Sequence, residues 1–385
     1  MKLSYNSLWF LCLALAVAGM FSGCSQDDAP NGGQPRVTFV RFTRPAAADS
    51  LVTMAGQGDM IAIIGENLQD ARQVWFNDQP AVLTPTFITA TSIITRVPSD
   101  IPREITNQMR IVFADGRELL HDFTVDISAP VITAMLSEYV NEGQVATLRG
   151  NYFYEPVKVT FTGGAEGTVV SVKDDEIQVT VPAGAQPGPV TVSTNFGATQ
   201  SPFWFRDNRN LIASFDGTTS GLWHGPDYIK ASDPDIAAIS NKFIRVNKEL
   251  GAWGWFEMYV GPTGSDVTLE TKNIPADAFA NPQNYEIKFE INTLKPLTGA
   301  EIRMYMGTGD MGAERNNIYY IWKPNVDTKG QWQTASIPWV DFWTANKKFA
   351  YSPAGYGVSF HFNGPLAVSA NFGLDNMRVV PKMAQ

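Results

Sequence analysis

Apolar and polar residues alternate along much of this chain. In YEIKFEIN (285–292), Tyr285, Ile287, Phe289 and Ile291 fall on one side and Glu286, Lys288, Glu290 and Asn292 on the other. That period of two is the mark of a strand with one buried face. The texture recurs at EIRMYM (301–306), NIYYIW (317–322), GYGVSFHF (355–362) and FGLDNMRVV (372–380). A β-sandwich of jelly-roll type is expected over 209–385, with Glu286 and Glu290 on its ordinary charged outer face.

Upstream, the strand pattern repeats itself. MIAIIGENLQDARQVWFN (60–77) aligns with VATLRGNYFYEPVKVTFT (145–162), placing Gly65 over Gly150 and Phe76 over Phe161. A later apolar run closes on RVP (96–98) in one copy and TVP (180–182) in the other, so the register holds with one deletion. Short alternating strands broken by Gly, Pro and Asn predict immunoglobulin-like sandwiches. The copies span 36–127 and 128–206 and are expected to act as spacers; FRDNRN (205–210) suggests a hinge into the last domain.

One stretch departs from the pattern. In GAWGWFEMYV (251–260), Phe256, Met258 and Val260 form a core face if the whole segment is a strand, while Trp253, Trp255, Glu257 and Tyr259 line the opposite face. Large rings stand where Lys or Glu is usual, and exposed apolar patches mark interaction surfaces. An indole pairs a flat apolar area with one N–H donor, which suits a pyranose ring rimmed by hydroxyls. Glu257, Asp227, Asn247 and Lys248 are candidate hydrogen-bonding partners, and Trp223, in the turn-rich SGLWHGPDY (220–228), completes the candidate platform. Trp332 and Trp339 are expected in the core.

Composition narrows the partners. A net charge of −9 argues against nucleic acid. His121, His224 and His361 are far apart, so no metal or other cofactor is expected. Asp residues in FDG (215–217) and LDN (374–376) leave a structural Ca²⁺ open as an alternative to a turn. The N-terminus reads as a signal peptide over 1–23: Lys2 precedes an apolar run (8–21) too short to span a bilayer, and FSGC (21–24) is similar to a lipobox. Lipidated Cys24 would then head a flexible tether, 24–35.

The lipobox, the repeated sandwiches, AWGWFEMYV, the WKP…GQWQTASIPWVDF run (322–342) and NFGLDNMRVVPK (371–382), in that order, resemble the surface glycan-binding lipoproteins (B type, with IPT/TIG domains) of Bacteroidetes polysaccharide-utilization loci. The resemblance implies a cell-surface protein, lipid-anchored in the outer membrane and facing outward. It would bind a polysaccharide such as a β-glucan or xyloglucan beside an outer-membrane transporter complex of the starch-utilization type. Family binding residues would map onto Trp223 and the Trp253/Trp255 segment. A jelly-roll glycoside hydrolase is the enzymatic alternative, but the strands offer no E-x-D-x-x-E string to place two carboxylates across a glycosidic bond. An adhesin for a protein partner would use the same rings.

Overall fold

The computed structural model describes residues 33–47, 49–216, 227–261 and 270–382, and strands dominate them. The chain divides into two compact units between Ile127 and Ser128. In the first, a three-stranded sheet (Arg36–Phe42, Met60–Glu66, Ser92–Arg96) and a four-stranded sheet (Gln79–Pro80, Ala71–Phe76, Gln108–Phe113, Glu118–Asp122) enclose Ile61, Ile63, Val74, Phe76, Ile93, Ile111 and Phe123. The second unit begins with a seven-stranded sheet, Val131–Met135 through Gly197–Phe205, folded around Leu148, Phe153, Phe161, Ile177 and Val192.

The internal repeat is a repeat of physical constraints. A Cβ on Gly65 would lie 2.0 Å from the Arg36 carbonyl oxygen, and one on Gly150 would lie 1.9 Å from that of Val131. No other residue fits either position. Two residues on, Asn67 and Tyr152 both take the left-handed conformation, with φ of 58° and 61°. Leu68 and Phe153 then drop into their cores.

The C-terminal part packs two antiparallel sheets face to face, as the jelly-roll expectation requires. One runs Ile229–Lys230, Phe243–Leu250, Val368–Pro381, Tyr285–Thr293, Gln333–Pro338, with Leu211–Ala213 added beside the long strand. The other runs Phe256–Gly261, Gly357–Phe362, Ile302–Gly307, Tyr320–Trp322. Ile287, Phe289 and Ile291 from the first meet Phe256, Ile302 and Phe360 from the second. Trp339 is fully buried, its indole N–H donating to the Ala278 carbonyl at 2.8 Å. Trp332 is half-buried and packs edge-on against Phe243.

The far face of YEIKFEIN is not an ordinary solvated face. Residues 137–141 of the second sandwich cover it. Arg378, fully buried, bonds Glu138 at 2.6 Å and Glu290 at 3.0 Å, and Lys288 bonds Glu138 at 2.7 Å. The Ser137 hydroxyl donates to Glu290 at 2.8 Å, and the Arg378 guanidinium lies 5.1 Å from the Tyr139 ring centre. Burial holds the Glu290 carboxyl above the usual range despite the pull of Arg378. The joining segment is bonded on both sides: the Tyr139 hydroxyl donates to the Asp207 carbonyl and Arg206 to Val140 and Asn141, while the Asn210 amide donates to the Val379 carbonyl at 3.0 Å. What composition suggested as a hinge is a fastened joint.

Candidate functional site

The four-stranded sheet carries the candidate site on the side away from the core. Phe256, Phe362, Ile302 and Trp322 stand opposite one another across its four strands and face inward. The neighbouring row, Glu257, His361, Arg303 and Ile321, therefore faces outward.

Trp253 and Trp255 precede the strand instead of lying within it, since the strand begins at Phe256. Trp253 adopts φ 58°, a conformation costly for a bulky residue. Its loop is pinned there: the Trp253 N–H donates to the Gly364 carbonyl at 2.6 Å, and the Asn363 amide donates to the Trp253 carbonyl at 3.2 Å. The two indoles remain 60% and 44% exposed, the property a stacking platform needs.

Trp255 is held from three sides. Its ring stacks on His361 with centroids 4.2 Å apart and planes at 28°. Its N–H donates to Glu257 Oε1 at 3.0 Å, and Arg315 pairs with the same oxygen at 2.5 Å while lying 5.4 Å from the indole. Burial, reinforced by Arg315 and Arg303, pushes the His361 pKa down to about 4. The imidazole beneath the tryptophan is thus neutral at physiological pH. Further along the face, the Arg303 guanidinium lies 4.5 Å from the centre of the half-buried Tyr319 ring, Ile321 is exposed, and Glu301 pairs with Lys323 at 2.7 Å. Indoles, a phenol, a flat guanidinium and hydrogen-bonding groups on one sheet face can stack a flat, hydroxylated ligand and bond its rim.

The residues singled out from sequence divide. Trp255 is exposed on this side, over His361, and Trp253 is exposed in the loop that leads into the strand; Trp223 lies outside the described residues, as does Cys24. Glu257 is nearly buried and orients Trp255. Tyr259 faces the other way. A bulge between Glu257 and Tyr259 sets it opposite Phe360, with Met304 and Tyr320 beyond, in a core row, where its ring packs on Phe215 and Phe360. Asn247 and Lys248 belong to the other sheet, and the Lys248 ammonium sits 4.6 Å from the Phe256 ring centre. His361, Arg303 and Arg315 were not among the sequence candidates. Alternation placed Arg303 on a polar face, but nothing local in the sequence marks it as a neighbour of Trp255.

Among the described residues no group of three or more His, Cys, Asp or Glu side chains is placed to hold a metal ion. Asp375, considered for Ca²⁺, is fully buried, accepting from the Ser240 hydroxyl at 2.7 Å and the Asn376 N–H at 2.7 Å. Burial pushes its pKa up to about 8. A carboxyl raised this far adds its full stability only below its unfolded pKa of about 3.9, and that contribution is lost as pH rises through 8. Asp375→Asn, whose amide can donate to a rotated Ser240 hydroxyl, is expected to match the parent near pH 4 and to gain on it steadily up to pH 8. Parallel stability curves in urea titrations across that range would refute the assignment.

Residues 205–381 match the family model described as the surface glycan-binding protein B xyloglucan binding domain. The crystal structure of surface glycan-binding protein PbSGBP-B from Prevotella bryantii is similar in fold, with a TM-score of 0.64 at 24% identity, covering 91% of this chain and 99% of that one. An IPT/TIG domain-containing protein of Bacteroides ovatus is 33% identical over 138 residues, 34% of this chain and 28% of the relative's own length.

Proposed function

We infer the function from one premise, that this chain is a surface glycan-binding protein of the B type whose residues 205–381 belong to the xyloglucan-binding domain family. On that premise it binds a polysaccharide of the β-glucan or xyloglucan class on the outer face of its four-stranded sheet. The observation that carries this is the pair Trp253 and Trp255, exposed beside a sheet whose inner face is already complete. Neutral sugars need flat apolar area and hydrogen bonds but no counter-charge; among the described residues on this side Glu257 and Glu301 pair with Arg315 and Lys323, and Glu314 accepts from the Tyr305 hydroxyl at 2.7 Å. That arrangement favours holding the glycan over cleaving it, since hydrolysis needs two carboxylates free to act.

The test is migration of the mature protein in native gels cast with xyloglucan, mixed-linkage glucan and unrelated polysaccharides. Retardation by a β-glucan, with no reducing sugar released, is the expected result. A folded protein slowed by none of them would sink the proposal. The same account puts the protein at the cell surface, anchored through Cys24 and passing its glycan to an outer-membrane transporter complex of the starch-utilization type. Cys24→Ala should then leave the membrane fraction, because two acyl chains supply the membrane affinity; continued fractionation with membranes would contradict it.

A further inference from the structure

The two sandwich copies differ most informatively where their shared turn meets solvent. In the first, the left-handed position is Asn67, a residue that adopts αL readily, followed by buried Leu68 and then Gln69. In the second, the equivalent run is Tyr152, Phe153, Tyr154. The backbone bonds of the turn are the same: Gly65 and Leu68 donate to the Thr91 and Ala90 carbonyls, and Gly150 and Phe153 to those of Asp175 and Asp174. The scaffold therefore does not need aromatic rings at 152 and 154. A bulky tyrosine is in fact a poor choice at φ 61°.

The rings also gather. Tyr152 is 42% exposed and lies 6.2 Å from Tyr154, which meets Phe196, from the hairpin between Gln186–Thr194 and Gly197–Phe205, edge-on at 6.0 Å. The corresponding hairpin of the first copy carries Ala114, Asp115, Gly116 and Arg117 in its loop, without an aromatic. Asn151, at the end of its strand, and Glu155 and Asn195, in the same two loops, are exposed and supply amide and carboxylate groups. Backbone strain retained for an exposed ring, on a fold that works with asparagine, points to use of the ring.

We propose that the Tyr152, Tyr154 and Phe196 cluster is a second contact site for the polysaccharide, engaging a stretch of the same polymer whose other stretch lies on the Trp253/Trp255 face. The proposal rests on the glycan-binding function above. Phenols flanked by amides suit a neutral, hydroxylated chain, as indoles do on the main face. Both sites lie in one compact unit, and the fastened joint around Arg378 fixes the spacing between them. A long polymer can then occupy both, and its apparent affinity exceeds that of a short fragment without any new contact at the main site.

The experiment compares the full mature protein with its Tyr152→Asn/Tyr154→Gln/Phe196→Ser variant, against polymeric xyloglucan and against a short xylogluco-oligosaccharide. Polymer affinity is expected to fall by about fivefold or more, the worth of at least one stacking contact, while oligosaccharide affinity and the unfolding temperature stay at parental values. Tyr152→Asn alone, which restores the residue used by the first copy, carries the same test if the triple variant is poorly folded. Unchanged polymer affinity in a folded variant, with Trp255→Ala weakening it, overturns this inference and leaves the main site standing. Unchanged affinity in both variants overturns the two together.

Discussion

Arg378→Met is expected to destabilise the second unit by about 3–5 kcal/mol, the usual loss when one partner of a buried ionic cluster is removed. Arg378 is the cation shared by Glu138 and Glu290, and neither its own side chain nor that of Glu290 touches solvent. Methionine fills much of the volume but leaves Glu138 and Glu290 beside one ammonium, Lys288, which Glu286 already shares at 3.3 Å. The loss should depend on pH. Burial already raises the Glu290 pKa, so protonating it is the cheapest escape in the variant, and the penalty should be smaller at pH 5 than at pH 8. Removing the whole covering sandwich, as in a 209–385 fragment, hydrates these charges instead and should cost less than the point change. Urea titration of the full mature protein, followed by tryptophan fluorescence, reads these effects. A shift below about 1 kcal/mol would place the cluster among weak surface pairs.

Phe256→Ala is expected to cost about 3–5 kcal/mol as a cavity in the core. The ring is 5% exposed and packs edge-on against Tyr228 at 4.9 Å and alongside Phe362 at 5.9 Å. Its effect at the proposed glycan site should come only through unfolding. Trp255→Ala, one residue away, removes a half-exposed ring and opens the polar groups beneath it, Glu257, Arg315 and His361, to water, and should shift the unfolding midpoint far less. If the two substitutions exchange effects, inward and outward faces have been assigned the wrong way round.

Much of this organisation was legible in the sequence because it follows from short-range rules. Alternation put Phe256 and Met258 toward the core, and the glycines at 65 and 150 announced a turn that no side chain could enter. Both tryptophans stood out as rings without a core to fill. What escaped depended on partners distant along the chain. Alternation assigned Tyr259 outward because a bulge reverses the parity of a strand, and the bulge is set by pairing with Phe360 and His361. Glu290 read as a solvated acid because the surface that buries it belongs to residues 137–141. The support beneath Trp255 drew on three segments, 257, 315 and 361, that no local window connects.

The central claim, that exposed indoles and not the sandwich core bind the glycan, is tested most directly by titrating xyloglucan into the parent, Trp253→Ala and Trp255→Ala proteins, with thermal unfolding measured on the same samples. Each tryptophan substitution is predicted to weaken binding by about 1–3 kcal/mol, by analogy with bases stacked on aromatic side chains, at a nearly constant unfolding temperature. Parental affinity in both folded variants would contradict the account.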